Sequence, residues 1–316
     1  MGRMPPPDPA PGEVRVRVHA SGINPGDVKK RAPWLDMPMA YPRIVPHSDG
    51  AGVIDAVGPG ISASRIGERV WCFGAQSYRP FGTAAELTCV PSEQAVTLPD
   101  DVSYVQGACF GIPGMTGHRA VFADGPVNGR TVLVRGALGA VARAAIVLAV
   151  RGGATVVATV RSASEAASAR ATGAHHIVVQ SEPDFAARIL ELTGGRGVDR
   201  IVEVAFDANI RSDHDVIALG GTIAAYATLQ PEPALPFWPL LFKDVTIRLL
   251  GSDDFPPAAK LDAARDITAA ASALVYPIAA RFPLESIAEA HLAVERGARG
   301  RVVLDVLDVL DVLSTR

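Results

Sequence analysis

From residue 131 to residue 250 the chain repeats one pattern, a short apolar run followed by an Ala-rich stretch with helical spacing. The apolar runs at 131–134, 155–160, 176–179, 200–204, 222–226 and 245–250 read as strands. The intervening segments 139–151, 164–172, 184–193 and 212–219 read as helices. Strands separated by helices do not close as hairpins; they pair in parallel, and the crossover helices cover both faces of the sheet. The pattern therefore predicts a doubly wound parallel sheet.

The first strand of this series runs into a turn, TVLVRGALGAVA at 131–142, and then a helix. A dinucleotide site needs a tight turn, a glycine where the pyrophosphate approaches the backbone, and a small residue where helix meets strand. Gly139 and Ala142 fill the last two roles, and Ala137 stands where the first glycine would be. The helix N-terminus then faces the phosphates with free N–H groups. The end of the second strand selects the cofactor. An NAD site carries Asp or Glu there for the ribose 2′-hydroxyl. This chain has Arg161 and Ser162, and its first acid is Glu165. A guanidinium fork suits a 2′-phosphate that a carboxylate would repel, so NADPH is expected over NADH.

The N-terminal third has a different texture. EVRVRVHA at 13–20 alternates apolar and polar residues, as a half-buried strand does. Five prolines interrupt 21–46, and the runs at 50–57, 69–73 and 84–90 are short strands bounded by turn residues. After residue 251 the chain gives helical stretches at 258–274 and 284–295 and a last strand at 300–305. The expected organisation is a β-rich domain from 1–107 and 253–316, interrupted by a nucleotide-binding domain at 108–252. A Leu-Asp-Val repeat at 304–313 reads as a tail.

Composition narrows the function. With 48% apolar and 20% charged residues the chain is globular rather than disordered. Lys and Arg number 30 against 33 Asp and Glu, with no basic block, which speaks against a nucleic-acid binder. Apolar runs such as 144–150 fall far short of the roughly 18–20 residues that span a bilayer, so no membrane partner is expected. Cys72, Cys89 and Cys109 match neither a redox pair nor a zinc knuckle and read as small buried hydrophobes. An odd cysteine count behind an N-terminus without an apolar leader points to the cytoplasm.

The ordered motifs resemble a known family. Gly22-Ile23-Asn24-Pro25-Gly26-Asp27, Pro46-His47-Ser48-Asp49-Gly50-Ala51-Gly52, Gly67-Glu68-Arg69-Val70, Gly111-Ile112-Pro113-Gly114-Met115-Thr116, the 136–142 turn, Gly173-Ala174, Gly220-Gly221 and Gly300-Arg301-Val302-Val303-Leu304 follow in sequence. Together they are similar to the zinc-free quinone oxidoreductases of the medium-chain dehydrogenase/reductase superfamily, the group that includes zeta-crystallin. The resemblance implies a GroES-like β-rich catalytic domain around a Rossmann domain, with the nicotinamide in the cleft between them. It implies cofactor contacts at Leu138, Gly139, Ala140 and Val141, at Arg161, Gln180 and Asn209, at Tyr226-Ala227-Thr228 and at Leu250-Gly251-Ser252, with Thr116 near the nicotinamide. Zinc dehydrogenases of the superfamily have Cys at the position of Asn24 and His and Glu in the segment that reads Ser48-Asp49 here; no metal is expected, and His47 reads as a hydrogen-bonded loop residue. Lys29 replaces a family tyrosine near the substrate cleft, and Arg31 matches a family arginine or is a surface charge. The strand that usually precedes the Pro-Gly-Glu segment is nearly missing.

Without zinc, an electron-poor acceptor is the substrate that needs least help. The expected activity is hydride transfer from NADPH to a quinone or an α,β-unsaturated carbonyl, the protein supplying orientation and exclusion of water. Asn24 is the candidate hydrogen-bond donor to the acceptor carbonyl, or else a turn cap; Asp27 positions its loop, and Asp49 holds the loop rather than acting as an acid. Enoyl-thioester reduction is the alternative enzyme reading, with Tyr41 and Tyr78 as the available acids. A non-enzymatic cofactor-binding, structural or RNA-binding role is the third. Substrate shape is expected from loops at 34–41 and 237–242, and an apolar edge strand at 245–250 predicts a homodimer.

Overall fold

The structure, a computed structural model, describes residues 2–31 and 41–307. Of the expected pocket loop at 34–41 only Tyr41 is among them; of the Leu-Asp-Val repeat read as a tail at 304–313, Leu304 and Asp305 instead belong to the last strand, and the part beyond residue 307 lies outside the described residues. The chain forms two compact units, Met1–Ile112 with Val275–Arg316, and Pro113–Leu274. The sequence reading put these junctions at 107/108 and 252/253.

The first unit contains β1 (Glu13–Ile23), α1 (Pro25–Lys29), β2 (Asp49–Val57), β3 (Arg69–Cys72), β4 (Leu87–Pro91), β5 (Ala95–Thr97) and α2 (Tyr104–Gly107). Helix α3 (Gly111–Phe122) leads into the second unit, which continues with β6 (Thr131–Val134), α4 (Ala140–Arg151), β7 (Thr155–Val160), α5 (Ala166–Arg170), β8 (His176–Val179), α6 (Phe185–Leu192) and β9 (Val198–Glu203). It ends with α7 (Phe206–Val216), β10 (Ile217–Ala225), α8 (Phe237–Phe242), β11 (Thr246–Leu249) and α9 (Pro257–Ala269). The chain returns to the first unit as β12 (Ile278–Pro283), α10 (Ile287–Glu295) and β13 (Arg301–Asp305).

Strand β1 organises the first unit. Its alternation puts Val14, Val16, Val18 and Ala20 in the core and the arginines between them toward solvent. One edge of β1 pairs antiparallel with β2; the other is shared, its first half by β4 and its second by β13. The full sheet runs β12-β13-β1-β2-β3-β5, with β4 beside β1.

In the second unit the sheet order is β11-β10-β9-β6-β7-β8, all pairs parallel. Sequence order reverses between β6 and β9, and a ligand site is expected outside the carboxyl ends of the strands at that point. Small side chains bring the helices close to the sheet. A Cβ added at Gly117 of α3 would lie 2.9 Å from Ala144 of α4, so only glycine allows that helix contact.

Two elements differ from the sequence reading for a physical reason. Helix α7 begins at Phe206, not at residue 212. Its buried face is Phe206, Asn209, Ile210, Asp213 and Val216, spaced as a helix requires, but two of the five are polar and mask the apolar period. Strand β10 starts at Ile217 and passes through Gly220 at φ +71°, with a register shift against β9 that the residue pattern does not announce.

Leu133 is fully buried, in register with Val157 of β7 and Ile201 of β9 on the neighbouring strands. Leu133→Ala should destabilise the protein by about 2–5 kcal/mol, read as a lower midpoint in a far-ultraviolet melt; an unchanged midpoint would contradict this packing.

Candidate functional site

In the second unit the residues expected at a dinucleotide lie after the carboxyl ends of the parallel strands. After β6 the backbone turns at Gly136, whose φ of +68° is open to glycine without strain. The turn is fastened to β7: Gly136 N–H donates to Thr159 Oγ1 at 3.1 Å and Ala137 N–H to the Thr159 carbonyl at 2.8 Å. Ala137 and Thr159 are fully buried. Leu138 packs its side chain on the core, while Gly139 is exposed as the N-cap of α4. Having no side chain, Gly139 leaves the N–H groups at Ala140 and Val141 without a capping acceptor.

The other expected contacts follow the same sheet edge. Arg161 is exposed at the end of β7, its guanidinium 3.5 Å from Glu165, and Glu165 also accepts the Arg161 N–H at 3.1 Å. The nearest acid in the sequence is thus folded back onto the arginine. Ser162 Oγ lies 2.8 Å from Ser164 Oγ. Gln180, after β8, donates to Asn209 Oδ1 at 2.7 Å, and Asn209 donates to Glu203 Oε1 at 2.9 Å. Tyr226 N–H donates to the Glu203 carbonyl; Ala227 accepts from Phe206 N–H; Thr228 Oγ1 donates to Asp207 at 3.1 Å. Leu250 N–H bonds the Ala225 carbonyl at 2.9 Å, and Gly251 precedes a short turn that begins at Ser252. Thr116 belongs to this unit and is buried on α3.

The first unit gathers Asn24, Asp27, Asp49 and Arg301, all buried. Asn24 Oδ1 accepts from Arg301 Nη1 at 2.8 Å, and Asn24 Nδ2 donates to Asp49 Oδ2 at 2.8 Å. Asp49 also accepts the Ile112 N–H at 2.9 Å on both oxygens. Asp27 accepts the Asn24 backbone N–H at 2.8 Å and so fixes the start of α1. Burial pushes Asp49 up to about 7, against the pull of Arg301 and with a further push from Asp27. Burial likewise lifts Asp27 to about 6, opposed by the Asn24 N–H and by Lys30.

His47, at φ +76°, is held behind this cluster by a chain whose proton directions are fixed. Thr83 Oγ1 donates to the Asp49 carbonyl at 2.6 Å, so Ser21 Oγ, 2.8 Å away, donates to Thr83. Ser21 must then accept from His47 Nδ1 at 2.8 Å, which leaves His47 Nε2 to accept from His291 Nε2 at 2.8 Å. Burial holds both imidazoles below their ordinary pKa, in keeping with this neutral pair. His47 is therefore a hydrogen-bonded loop residue. Arg31 pairs with Glu295, and the Tyr41 hydroxyl is engaged by the Tyr78 carbonyl at 2.6 Å.

Sequence reading missed Arg301 as the partner of Asn24, and Arg135, Glu203 and Asp213, which form a fully buried charged set in the second unit. The available signal was a charged residue closing an apolar strand, as in VLVR at 132–135 and RIVE at 200–203. Among the described residues no group of three or more His, Cys, Asp or Glu could hold a metal ion.

Comparison with known proteins gives the chain its relatives. The alcohol dehydrogenase GroES-like domain matches residues 10–100 and the zinc-binding dehydrogenase domain matches residues 140–263. The rat quinone oxidoreductase is 34% identical over 220 residues, 69% of this chain; the match spans 65% of the rat protein, less than two thirds of its length. The human quinone oxidoreductase is 30% identical over 310 residues, 94% of this chain and 90% of the human protein. An NAD-dependent alcohol dehydrogenase structure has a TM-score of 0.82 at 28% identity, covering 97% of this chain and 95% of that one. A mycobacterial structure complexed with NADPH has a TM-score of 0.79 at 27% identity, covering 96% and 95%. With its GroES-like and Rossmann units and a human relative matched along nearly its whole length, the chain is an oxidoreductase of the zeta-crystallin-like quinone oxidoreductase group, within the medium-chain dehydrogenase/reductase superfamily.

Proposed function

We propose that this chain is a zinc-independent, NADPH-dependent reductase that passes hydride to a quinone or another α,β-unsaturated carbonyl. The observation that carries the reading is the glycine turn at the strand-order reversal, with the side-chain-free N-cap of α4 behind it. That arrangement offers backbone N–H groups and the positive end of a helix dipole to a pyrophosphate. Leu138, Gly139, Ala140 and Val141 would hold it, with Gln180, Asn209, 226–228 and 250–252 around the rest of the dinucleotide. Arg161 and Ser162 would take the 2′-phosphate. The exposed Arg161–Glu165 pair is worth little in water, so the guanidinium is available to a phosphate that forms charge-assisted bonds. When bound, NADPH supplies the hydride.

On the first unit, Asn24 uses its oxygen on Arg301 and one N–H on Asp49. An amide nitrogen carries two N–H groups, and the second is offered to the acceptor's carbonyl oxygen as negative charge develops there. Asp27 and Asp49 hold Asn24 in place, Thr116 is assigned to the nicotinamide, and water supplies the proton. The donors near Asn24 do not suit zinc. A catalytic zinc takes about three N, S or O ligands; here the amide oxygen is bound by a guanidinium, the carboxylate is occupied by Ile112 and Asn24, and Ser48 offers a hydroxyl. Three cysteines without disulfide partners support a reducing compartment, the cytoplasm. A homodimer is supported by β11 at the edge of its sheet and by Leu219, Trp238, Phe242 and Leu249, each more than 60% exposed nearby in the same unit.

Purified protein should oxidise NADPH with 1,2-naphthoquinone, and a zinc chelator should leave the rate unchanged. Turnover of crotonyl-CoA alone would favour enoyl-thioester reduction, and turnover of neither acceptor, a binding role. Arg161→Glu should cut kcat/KM for NADPH about ten- to a hundredfold while raising the relative use of NADH; equal cofactor preference in variant and parent would remove Arg161 from the 2′-phosphate. Sedimentation at micromolar concentration should show a species of twice the chain mass, and a purely monomeric species would refute the dimer.

A further inference from the structure

The second unit buries more charge than its ion pairs balance. Arg135, Glu203 and Asp213 are all fully buried, one cation against two carboxylates. Asp213 Oδ1 accepts from Arg135 Nε at 2.9 Å and Nη2 at 2.6 Å, and the guanidinium also reaches Ser212 Oγ at 2.9 Å. Glu203 Oε1 accepts from Asn209 Nδ2 and from the Ala205 N–H. Its Oε2 lies 3.6 Å from Arg135 Nε, too far for a hydrogen bond. Three buried atoms of the set make no hydrogen bond: the acceptors Glu203 Oε2 and Asp213 Oδ2 and the donor Arg135 Nη1. An unpaired buried negative charge is costly; both carboxylates approach Arg135 Nε, Asp213 at 2.9 Å and Glu203 at 3.6 Å, and one proton held by the pair would bring the set to neutrality.

We propose that Glu203 and Asp213 share one proton in the folded protein, and that this neutral Arg135–Asp213–Glu203 set holds the dinucleotide turn in a form that binds phosphate. The second half rests on the reading of that turn given above. Arg135 is the residue immediately before Gly136, and its N–H is bonded to the Val202 carbonyl at 3.0 Å, so the set sits where β6 and β9 part. The groups that face the pair are Arg135 from the end of β6, the Tyr226 phenol after β10, the Phe185 ring of α6 stacked 4.5 Å from the guanidinium, and Asn209 and Ser212 on α7 itself. Tyr226 stays neutral, its phenol pushed up by burial and by Glu203. Burial and the neighbouring Glu203 hold Asp213 well above the usual carboxylate range, against the pull of Arg135. Loss of the proton puts a net negative charge beneath the site for the pyrophosphate, and the two repel.

The sign of the pH effect follows. A carboxyl whose pKa is raised by folding adds stability at low pH that is lost as pH rises toward the folded-state value. Asp213→Asn keeps the acceptor for Arg135 and replaces the shared hydrogen with an amide N–H, so it fixes the neutral state; Glu203→Gln does the same from the other side. The test uses the full chain as parent, both single variants and the double variant. Isotope-edited infrared spectra at neutral pH should show a protonated carboxyl in the parent that is missing from Asp213→Asn. From the ordinary carboxylate range at about pH 4 upward, the parent's melting midpoint should fall more steeply with pH than that of either single variant. As the pair loses its proton with rising pH, the Kd for NADPH should rise about tenfold, since like charges repel at an effective dielectric of about 20, while the single variants lack this rise. The double variant, with Arg135 unpaired, should melt lower than both singles. Parallel pH profiles in parent and single variants, with no protonated carboxyl, would overturn the shared proton. Different melting profiles with identical NADPH profiles would overturn the coupling to the turn. If the folded parent took up no NADPH at any pH, the reading of the turn would fall with that coupling, and the spectra and melts would still decide the shared proton.

Discussion

Thr159 makes the bonds on which the second unit's site depends. A parallel strand followed by a helix leaves one peptide group at the turn pointing nowhere, and here the neighbouring strand receives it: Gly136 on the Thr159 hydroxyl and Ala137 on its carbonyl. With the turn tied back to β7, the start of α4 is left clear, and its N-cap glycine adds nothing that would compete with a ligand. The left-handed φ of Gly136 is what allows the chain to leave β6 and meet that hydroxyl at once. Packing then keeps it there, since Ala137, Ala142, Ala145 and Ile146 lie in the same fully buried cluster as Ala158.

Both units solve the same electrostatic problem with different chemistry. In the first, Arg301 and Asp49 are 3.9 Å apart, and Asn24 bridges them with its amide, oxygen to the cation and nitrogen to the anion. In the second, Arg135 grips Asp213 directly and leaves Glu203 to be satisfied by an asparagine and a backbone N–H. Removing the arginine of either set leaves uncompensated buried carboxylates, which is why that partner is expensive to lose. The asparagines Asn24 and Asn209 have the same task. Each connects a buried carboxylate to a group near a proposed ligand, and neither carries charge.

The parallel sheet, its turn and the alternating β1 were legible in the sequence because each is written in a period or in a glycine position. Helix α3 was not read as a helix, since Gly111, Pro113, Gly114 and Gly117 look like loop residues until Gly117 is seen against α4. Helix α7 was half hidden because Asn209 and Asp213 occupy core positions. The candidate site was legible residue by residue through resemblance, yet its wiring was not. Nothing in the spacing of Asn24 and Arg301 tells that they touch, 277 residues apart. Arg161 was visible, but the return of Glu165 to its backbone depends on a short turn that the sequence does not specify.

Strand β13 has a consequence for how the protein is made. Half of one edge of β1 is satisfied only when residues 302–305 arrive, and Arg301, the cation of the Asn24 cluster, comes with them. On the ribosome, synthesis proceeds at roughly 5–20 residues per second, so the whole of Pro113–Leu274 emerges while that edge stays open. For many seconds the nascent chain thus carries Asp49 without its counterion and an apolar strand without its neighbour. A truncation just upstream of residue 301 would make that interval permanent.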